Sequence, residues 1–215
     1  MGIFDQPIVM LDFETTGLSP AMGDRITEVA ALRIVGGRVV ERYVSLINCG
    51  VRIPSFITGL TGISQAMVDA APPVARVLPE LLAFIGGDAL SAHNASFDEK
   101  FLVAESARLG LAPAHQGLVC SLKLSRRVFP GMPGYKLGQL SGQLGIRFRS
   151  AAHRAEADAE AAAEVLLHIG RHLGERYGLG RVEPQLLVAL NKLSAAKVPA
   201  FLASYAIAKK ATQIT

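Results

Sequence analysis

The sequence predicts an α/β domain built around a mixed sheet with helices on its flanks. A short apolar run at residues 8–13 ends in acids, as a buried strand does. Two β-rich stretches follow at 26–35 and 39–47, and Gly36-Gly37 between them is typical of a hairpin. Further along the chain, short strand patterns alternate with helical ones. This order favours a sheet that combines antiparallel and parallel strands.

The remaining elements follow from local patterns. Residues 56–67 are punctuated by Gly and Thr, so short turns are expected there. Apolar spacing after a Pro-Pro pair predicts a helix at 74–85. The other predicted elements are a strand at 88–93, a helix at 96–109, a strand at 118–120, helices at 121–129 and 136–144, and a long Ala-rich helix at 155–177. Two amphipathic helices are expected near 184–193 and 199–210.

Length and composition set outer bounds on the protein. The 215 residues suffice for one domain with a sizeable core. No apolar stretch approaches the length of a membrane span, so no membrane association is expected. Cys49 and Cys120 form neither a metal-binding spacing nor a disulfide framework. A cytoplasmic location in a reducing environment is therefore expected.

Charge divides the chain into two predicted parts. Residues 171–215 hold seven Lys and Arg against two acids, whereas residues 1–170 hold fifteen against sixteen. With the helix-breaking Gly178-Leu179-Gly180 as the boundary, we expect a main domain at 1–177 and a basic helical extension at 178–215. The basic extension suits nucleic acid or an acidic partner, and equally a solvated helical face. Its apolar residues favour packing on the parent domain or on a protein partner over a dedicated nucleic-acid arm.

The first candidate site lies at the end of the first strand. Asp12 and Glu14 are two residues apart, so on a strand they point to the same face. Like charges this close repel unless a cation lies between them, and a hard divalent metal is the natural occupant. The alternative is that the strand has ended and both acids face water. The turn Thr15-Thr16-Gly17 offers hydroxyls and N–H groups suited to a nucleotide.

The second candidate site lies where a strand passes into a helix, at residues 93–98. Ser96 could cap this helix, which would place Asp98 in its first turn. An acid there is also explained by the helix dipole alone.

The third candidate pair is His153 and Asp158. Their spacing of five requires His153 on the loop before the helix and Asp158 on its sheet-facing side. Several small alanines would let this helix lie close to the sheet and bring Asp158 to the strand carboxylates. The alternative is a surface histidine and an ordinary acidic pattern on a solvated helix.

Together these motifs resemble the DnaQ-like DEDDh branch of the 3′–5′ exonucleases, which includes the proofreading epsilon subunit of bacterial DNA polymerase III. The resemblance covers about residues 7–170 and keeps the family's order. The matching segments are Asp12-Phe13-Glu14-Thr15-Thr16-Gly17-Leu18, Leu60-Thr61-Gly62-Ile63, His93-Asn94-Ala95-Ser96-Phe97-Asp98, Tyr135-Lys136-Leu137 and His153-Arg154-Ala155 with Asp158.

The resemblance implies a ribonuclease-H-like fold, in which a central five-stranded mixed sheet is flanked by helices. It also implies two divalent cations, Mg²⁺ with Mn²⁺ as a substitute. Asp12 would bridge the two ions, Glu14 and Asp158 would complete the ion that holds the attacking water, and Asp98 would hold the second. His153 would be the general base, because an imidazole ordinarily titrates near neutral pH.

By the same resemblance, a set of residues would contact the substrate: Thr15, Thr16, Gly17, Leu18, Thr61, His93, Asn94 and Phe97. Core packing would explain Phe97 equally well. The expected substrates are single-stranded DNA or frayed 3′ ends, cleaved to nucleoside 5′-monophosphates in proofreading, replication or repair. A DNA polymerase catalytic subunit is one candidate partner.

Two alternatives stay open. One is an RNA or oligoribonucleotide exonuclease with the same five catalytic residues. The other is a non-catalytic nucleic-acid-binding scaffold on this fold, which loss of a carboxylate would favour. All four carboxylates and the histidine are present.

Overall fold

The computed structural model describes residues 3–147 and 153–212, which contain one five-stranded sheet. Its strands lie in the order β3-β2-β1-β4-β5. They are β1 (Ile8–Thr15), β2 (Ile26–Val35), β3 (Arg38–Leu46), β4 (Ala89–Ala92) and β5 (Leu118–Cys120). The first three strands pair antiparallel, whereas β4 runs parallel to both β1 and β5. The predicted mixed sheet is confirmed.

The helices flank this sheet. They are α1 (Ser55–Thr61), α2 (Gln65–Asp69), α3 (Val74–Ile85), α4 (Ser96–Arg108), α5 (Ser121–Val128), α6 (Leu137–Gln143), α7 (Ala155–Tyr177), α8 (Pro184–Lys192) and α9 (Val198–Thr212). The hairpin prediction is also confirmed, because Gly36 and Gly37 have φ values of 61° and 98°. Such paired positive φ angles are those a tight hairpin turn requires.

The prediction of turns at 56–67 is wrong, because this stretch contains the short helices α1 and α2. Gly62 ends α1 with a left-handed φ of 72°, and the Ser64 hydroxyl caps α2 by accepting from the Met67 N–H. The buried side chains of Ile57, Ile63 and Val68 pack together beneath both helices. Tertiary burial therefore stabilises helices that are too short to form alone.

The alternation of β1 produces two layers of core. Ile8 and Met10 face α7, together with Ala30 and Leu32 of β2. The alternate residues of β1, which are Val9, Leu11 and Phe13, face α3 and α4. Because β1 is central and buried on both faces, polar groups at its carboxyl end lie beside helices from both layers.

The chain beyond residue 177 packs on the main core. Leu186, Leu187 and Leu190 of α8 are buried in the same cluster as α7. Asn191 accepts from the Cys120 N–H at 2.7 Å and donates to the Cys120 carbonyl at 3.1 Å, so its side chain covers the edge of β5. The expected packing on the parent domain is therefore observed, while the domain boundary at 177/178 stays a prediction. Within the described ranges, no helix is long and apolar enough to cross a membrane.

Candidate active site

The site is built at the carboxyl end of β1, where the sheet opens. Pairing of β1 with β4 ends at Met10 and Ser91, whereas its pairing with β2 continues to Thr15. The backbone beyond Met10 therefore has no strand partner on its β4 side. Asp98 of α4 uses this opening, because its Oδ1 accepts from the Phe13 N–H at 3.2 Å. An acid from the second layer is thereby fixed against the strand that carries Asp12 and Glu14.

Helix α7 brings a further acid from the first layer. Its first residues include the fully buried Ala155 and Ala159, whose small side chains let the backbone approach the sheet. Asp158 lies between them in the first turn. Asp12, Glu14 and Asp158 each offer an oxygen atom, and these three atoms lie within 4.8 Å of one another. Asp98 is not part of that close group, but its charge acts on Asp12.

The electrostatics of the cluster disfavour charge on every member. Burial, then the neighbouring carboxylates of Asp98, Asp158 and Glu14, raise the pKa of Asp12 well above its ordinary value. Burial, followed by the charge of Asp158, raises the pKa of Glu14 to about 8. Burial also raises the pKa of Asp98 to about 8, although the Phe13 N–H opposes the shift.

The pKa of Asp158 is likewise raised by burial, and the His153 N–H opposes this shift. The donor set is therefore made of carboxylate oxygens. The described residues around them supply too little positive charge to offset burial and mutual repulsion. Hard divalent cations take such ligands, and a cation would remove the repulsion. The residues present thus fit a divalent metal site.

His153 lies on the loop immediately before α7, as expected. Its side chain is exposed, and its backbone has a left-handed φ of 64°, uncommon for a residue other than glycine. Its N–H donates to Asp158 Oδ2 at 3.2 Å. The backbone of His153 is therefore bonded to the acid cluster, while its side chain is exposed to solvent.

The turn after β1 is organised by Asp24. Its carboxylate accepts from the Thr16 hydroxyl at 3.3 Å and from the Ser19 N–H at 2.9 Å. A Cβ on Gly17 would lie 2.4 Å from Asp24 Oδ1, so any larger residue here would displace the Asp24 carboxylate. The Thr15 hydroxyl donates to the Gly17 carbonyl. Both threonine side chains are thus used internally, and Leu18, 77% exposed, is the side chain the turn presents to solvent.

Thr61 and His93, two other residues expected to contact substrate, have hydrogen-bond partners inside the protein. Thr61 is buried, and its hydroxyl donates to the Ile57 carbonyl while accepting from the Ile63 N–H. His93 has both ring nitrogens within 2.9 Å of protein partners, Ser121 Oγ and the Tyr135 carbonyl. The polar atoms of both side chains are therefore bonded within the protein.

Asn94 and Phe97 are the remaining residues expected to contact substrate. Asn94 is exposed and has a left-handed φ of 73°. The half-buried Phe97 ring lies 5.1 Å from the Phe101 ring, with Lys100 Nζ 4.8 Å from its centre. Ser96, expected to cap α4, is instead its first residue, and no side chain caps that helix end.

Sequence reasoning missed the pair formed by Glu28 and Arg154. Glu28 lies directly opposite Glu14 across the β1–β2 ladder and is 3% exposed. Its carboxylate accepts from the Arg154 guanidinium and from the Ala155 N–H. The sequence did contain an indication of this pair. An acid within the apolar run of β2 is expected to be buried, and a buried carboxylate needs a partner.

Comparison with known proteins identifies the family. The model of the exonuclease family RNase_T matches residues 9–166. The chain belongs to the RNase_T exonuclease family. The match spans β1 to α7 and contains every residue of the acid cluster. An enzyme of this family is an exonuclease that depends on divalent metal, and the oxygen cluster of this RNase_T domain can take such an ion.

Individual relatives carry the same domain. The chain is 33% identical over 178 residues to the DNA polymerase III subunit epsilon of Aquifex aeolicus, covering 83% of this chain and 87% of that protein. It is 40% identical over 153 residues to the 3′-5′ exonuclease DinG of Bacillus subtilis, covering 71% of this chain but only 16% of that protein. A solved structure of Exonuclease X in complex with 5′ overhanging duplex DNA has a TM-score of 0.67 at 25% identity, covering 86% of this chain and 99% of that one.

Proposed function

We propose that this exonuclease is a 3′–5′ exonuclease that removes nucleoside 5′-monophosphates from the 3′ end of DNA. The observation that carries the proposal is the convergence of Asp12, Glu14 and Asp158 at the open end of β1. Asp98 is bonded to the same strand end. Relatives named as a 3′-5′ exonuclease and as a polymerase III epsilon subunit support the direction and the substrate.

In this proposal Asp12, Glu14, Asp98 and Asp158 would hold two divalent cations, with Mg²⁺ as the physiological ion and Mn²⁺ as a substitute. When bound, such ions neutralise the phosphodiester and stabilise the attacking and leaving oxygens. The contribution of the chain is to fix the ligands before the ions arrive. The Phe13 N–H orients Asp98, and the His153 N–H orients Asp158.

His153 is the proposed general base. Its imidazole lies at the boundary between the acid cluster and solvent, where it can take a proton from the attacking water. The bond from the His153 N–H to Asp158 holds His153 beside the site, while its exposed side chain is free to reach a bound substrate. Apo geometry of such a base is often loose and tightens on substrate binding.

The terminal nucleotide would rest on the turn after β1. Asp24 holds this turn through Thr16 and Ser19, which leaves the Gly17 backbone and the exposed Leu18 side chain to meet the substrate. Single-stranded DNA or a frayed 3′ end would enter there, with Asn94 and Phe97 as further contacts. The epsilon relative suggests a DNA polymerase catalytic subunit as a partner and proofreading as the role.

The test is digestion of end-labelled substrates with Mg²⁺. Single-stranded DNA, duplex DNA with a mismatched 3′ end and a short RNA are compared under the same conditions. A 5′ label should give a ladder of shortened products, and mononucleotides should be the only small product. Faster digestion of RNA would replace DNA with RNA in the proposal, and ladders from a 3′-labelled strand would contradict the direction.

Two controls tie the activity to the site. Chelation of divalent cations should abolish digestion, and Mn²⁺ should restore it. Asp12→Asn should be inactive while remaining folded, because the substitution keeps side-chain volume and removes one charge from a repulsive cluster. Activity in Asp12→Asn equal to that of the native chain would place the reaction elsewhere.

A further inference from the structure

We infer that Glu28 and Arg154 act as a positioning pair that sets the first turn of α7, and with it Asp158 and the His153 loop, against β1. The inference rests on the proposed function, because it concerns the geometry of the proposed metal ligands. Neither residue is one of the proposed ligands. Their role would be to hold Asp158 where its oxygen meets those of Asp12 and Glu14.

The pair is built as a fork. Arg154 Nε lies 3.0 Å from Glu28 Oε2, and Arg154 Nη2 lies 2.5 Å from Glu28 Oε1. The Glu28 side chain is 4% exposed and the Arg154 side chain 39%. Two parallel charge-assisted bonds fix orientation as well as distance, which a single bond cannot do.

Glu28 also replaces a missing helix cap. Arg154 occupies the position before α7, and its side chain makes no capping bond. The first helical N–H, that of Ala155, instead donates to Glu28 Oε2 at 2.9 Å. A carboxylate from β2 thus satisfies the start of a helix 127 residues further along the chain. This arrangement ties the helix end to the strand beside β1 at a single side chain.

Position along the chain connects the pair to the site. Arg154 lies between His153 and the helix, and its carbonyl accepts from the Asp158 N–H at 3.1 Å. On the strand side, Glu28 is the direct partner of Glu14 in the ladder. The Glu28–Arg154 fork therefore fixes the relative positions of His153, the helical turn that bears Asp158 and the strand that bears Glu14.

A second arginine supplies a matched comparison. Arg42 of β3 also contacts α7, with Nη1 lying 3.0 Å from Glu156 and 2.6 Å from Glu160. Its side chain is 38% exposed, nearly the same as that of Arg154. Arg42 attaches the same helix to the sheet, but among the described residues it bonds neither to the Ala155 N–H nor to His153. If attachment of α7 were all that mattered, the two arginines would have equal effects.

The experiment compares Arg154→Ala, Arg154→Lys, Glu28→Gln, the double variant Glu28→Gln/Arg154→Ala and Arg42→Ala. Mn²⁺ binding is measured by calorimetry without nucleic acid, and turnover and KM are measured on a single-stranded oligonucleotide. Arg154→Ala should lose about 10–100-fold in Mn²⁺ affinity and in turnover, as residues that orient metal ligands do, with KM unchanged. Arg154→Lys should recover part of the loss.

The double variant should be no worse than Arg154→Ala, because the two residues act as one unit. Arg42→Ala should match the native chain in Mn²⁺ affinity and turnover. Equal losses in Arg42→Ala and Arg154→Ala, or native Mn²⁺ affinity in Arg154→Ala, would overturn the inference. A change confined to KM would also overturn it, since Arg154 would then contact the substrate.

Two further readouts keep the outcomes separate. Thermal unfolding is recorded for each variant. If Arg154→Ala does not fold, Glu28→Gln is measured in its place, because the amide oxygen of the new side chain can still accept from the Ala155 N–H. A native chain that digests no substrate would refute the proposed function. A difference in Mn²⁺ affinity between Arg42→Ala and Arg154→Ala would then still support the positioning pair.

Discussion

Removal of residues 178–215 should unfold the catalytic core. The family match ends at residue 166, so this extension could be taken for a dispensable appendage. Its buried apolar side chains nevertheless lie in the main core cluster: Leu179, Val182, Leu186, Leu187, Leu190, Val198 and Leu202, each at most 3% exposed. Asn191 in addition covers the edge of β5. A chain that ends at Tyr177 would expose the surfaces beneath them.

The magnitude follows from these seven side chains. Burial of a large aliphatic side chain stabilises by about 1.5–3 kcal/mol, which gives roughly 10–20 kcal/mol for the set. Ordering the extension offsets part of this gain, but truncation also exposes the apolar faces of α5, α7 and β5. Since whole domains are stable by only about 5–15 kcal/mol, the truncated chain should not reach the native state.

A point substitution makes the same argument quantitative. Leu187 is completely buried, so Leu187→Ala should cost about 2–5 kcal/mol of unfolding free energy. At about 2–4 °C per kcal/mol for a chain of this size, the melting temperature should fall by about 4–20 °C. Ile207→Ala is the control, because Ile207 of α9 is 71% exposed and its removal should change stability by less than about 0.5 kcal/mol.

The assay is thermal and urea unfolding followed by circular dichroism. A chain of residues 1–177 that melts cooperatively within a few degrees of the full chain would refute the reasoning. So would equal destabilisation by Leu187→Ala and Ile207→Ala. Either result would mean that the extension rests on a finished domain and does not complete its core.

Three further predictions concern the site. The raised pKa values of Glu14 and Asp98, each about 8 against ordinary values of 4.5 and 3.8, mean that the folded metal-free chain retains protons the unfolded chain has released. This stabilisation is complete below the pKa values of the unfolded chain and is lost as pH rises towards about 8. The melting temperature measured in chelator should therefore fall over that pH range and recover when Mn²⁺ is added. A melting temperature in chelator that rises with pH would contradict the raised pKa values. His153→Ala should lower turnover by about 10²–10⁴-fold at unchanged Mn²⁺ affinity, and a loss of only two- to threefold would exclude it as the base. Gly17→Ala should raise KM more than it lowers turnover, because its Cβ would displace Asp24; unchanged KM would show that this turn does not meet substrate.

The sequence by itself determined the strands, the helices other than α1 and α2, and the first half of the site. Alternation along β1 placed Asp12 and Glu14 on one face, and paired glycines fixed the hairpin. These features depend on neighbours in the chain, where backbone geometry leaves few choices. The spacing of His153 and Asp158 likewise required a loop followed by a helix, and the structure has both.

Only the tertiary structure decided how the remaining groups meet. Asp98 reaches β1 from the opposite layer because β4 is short and leaves the Phe13 N–H open. Glu28 meets Arg154 across 126 residues, and the leucines of α8 complete a core that the local pattern could not assign to a partner. The threonine hydroxyls expected to face a nucleotide instead bond within their own turn, to the Gly17 carbonyl and to Asp24. Local spacing determines which way a side chain points. What that side chain contacts depends on where strand pairing ends and on which helix covers each face of the sheet.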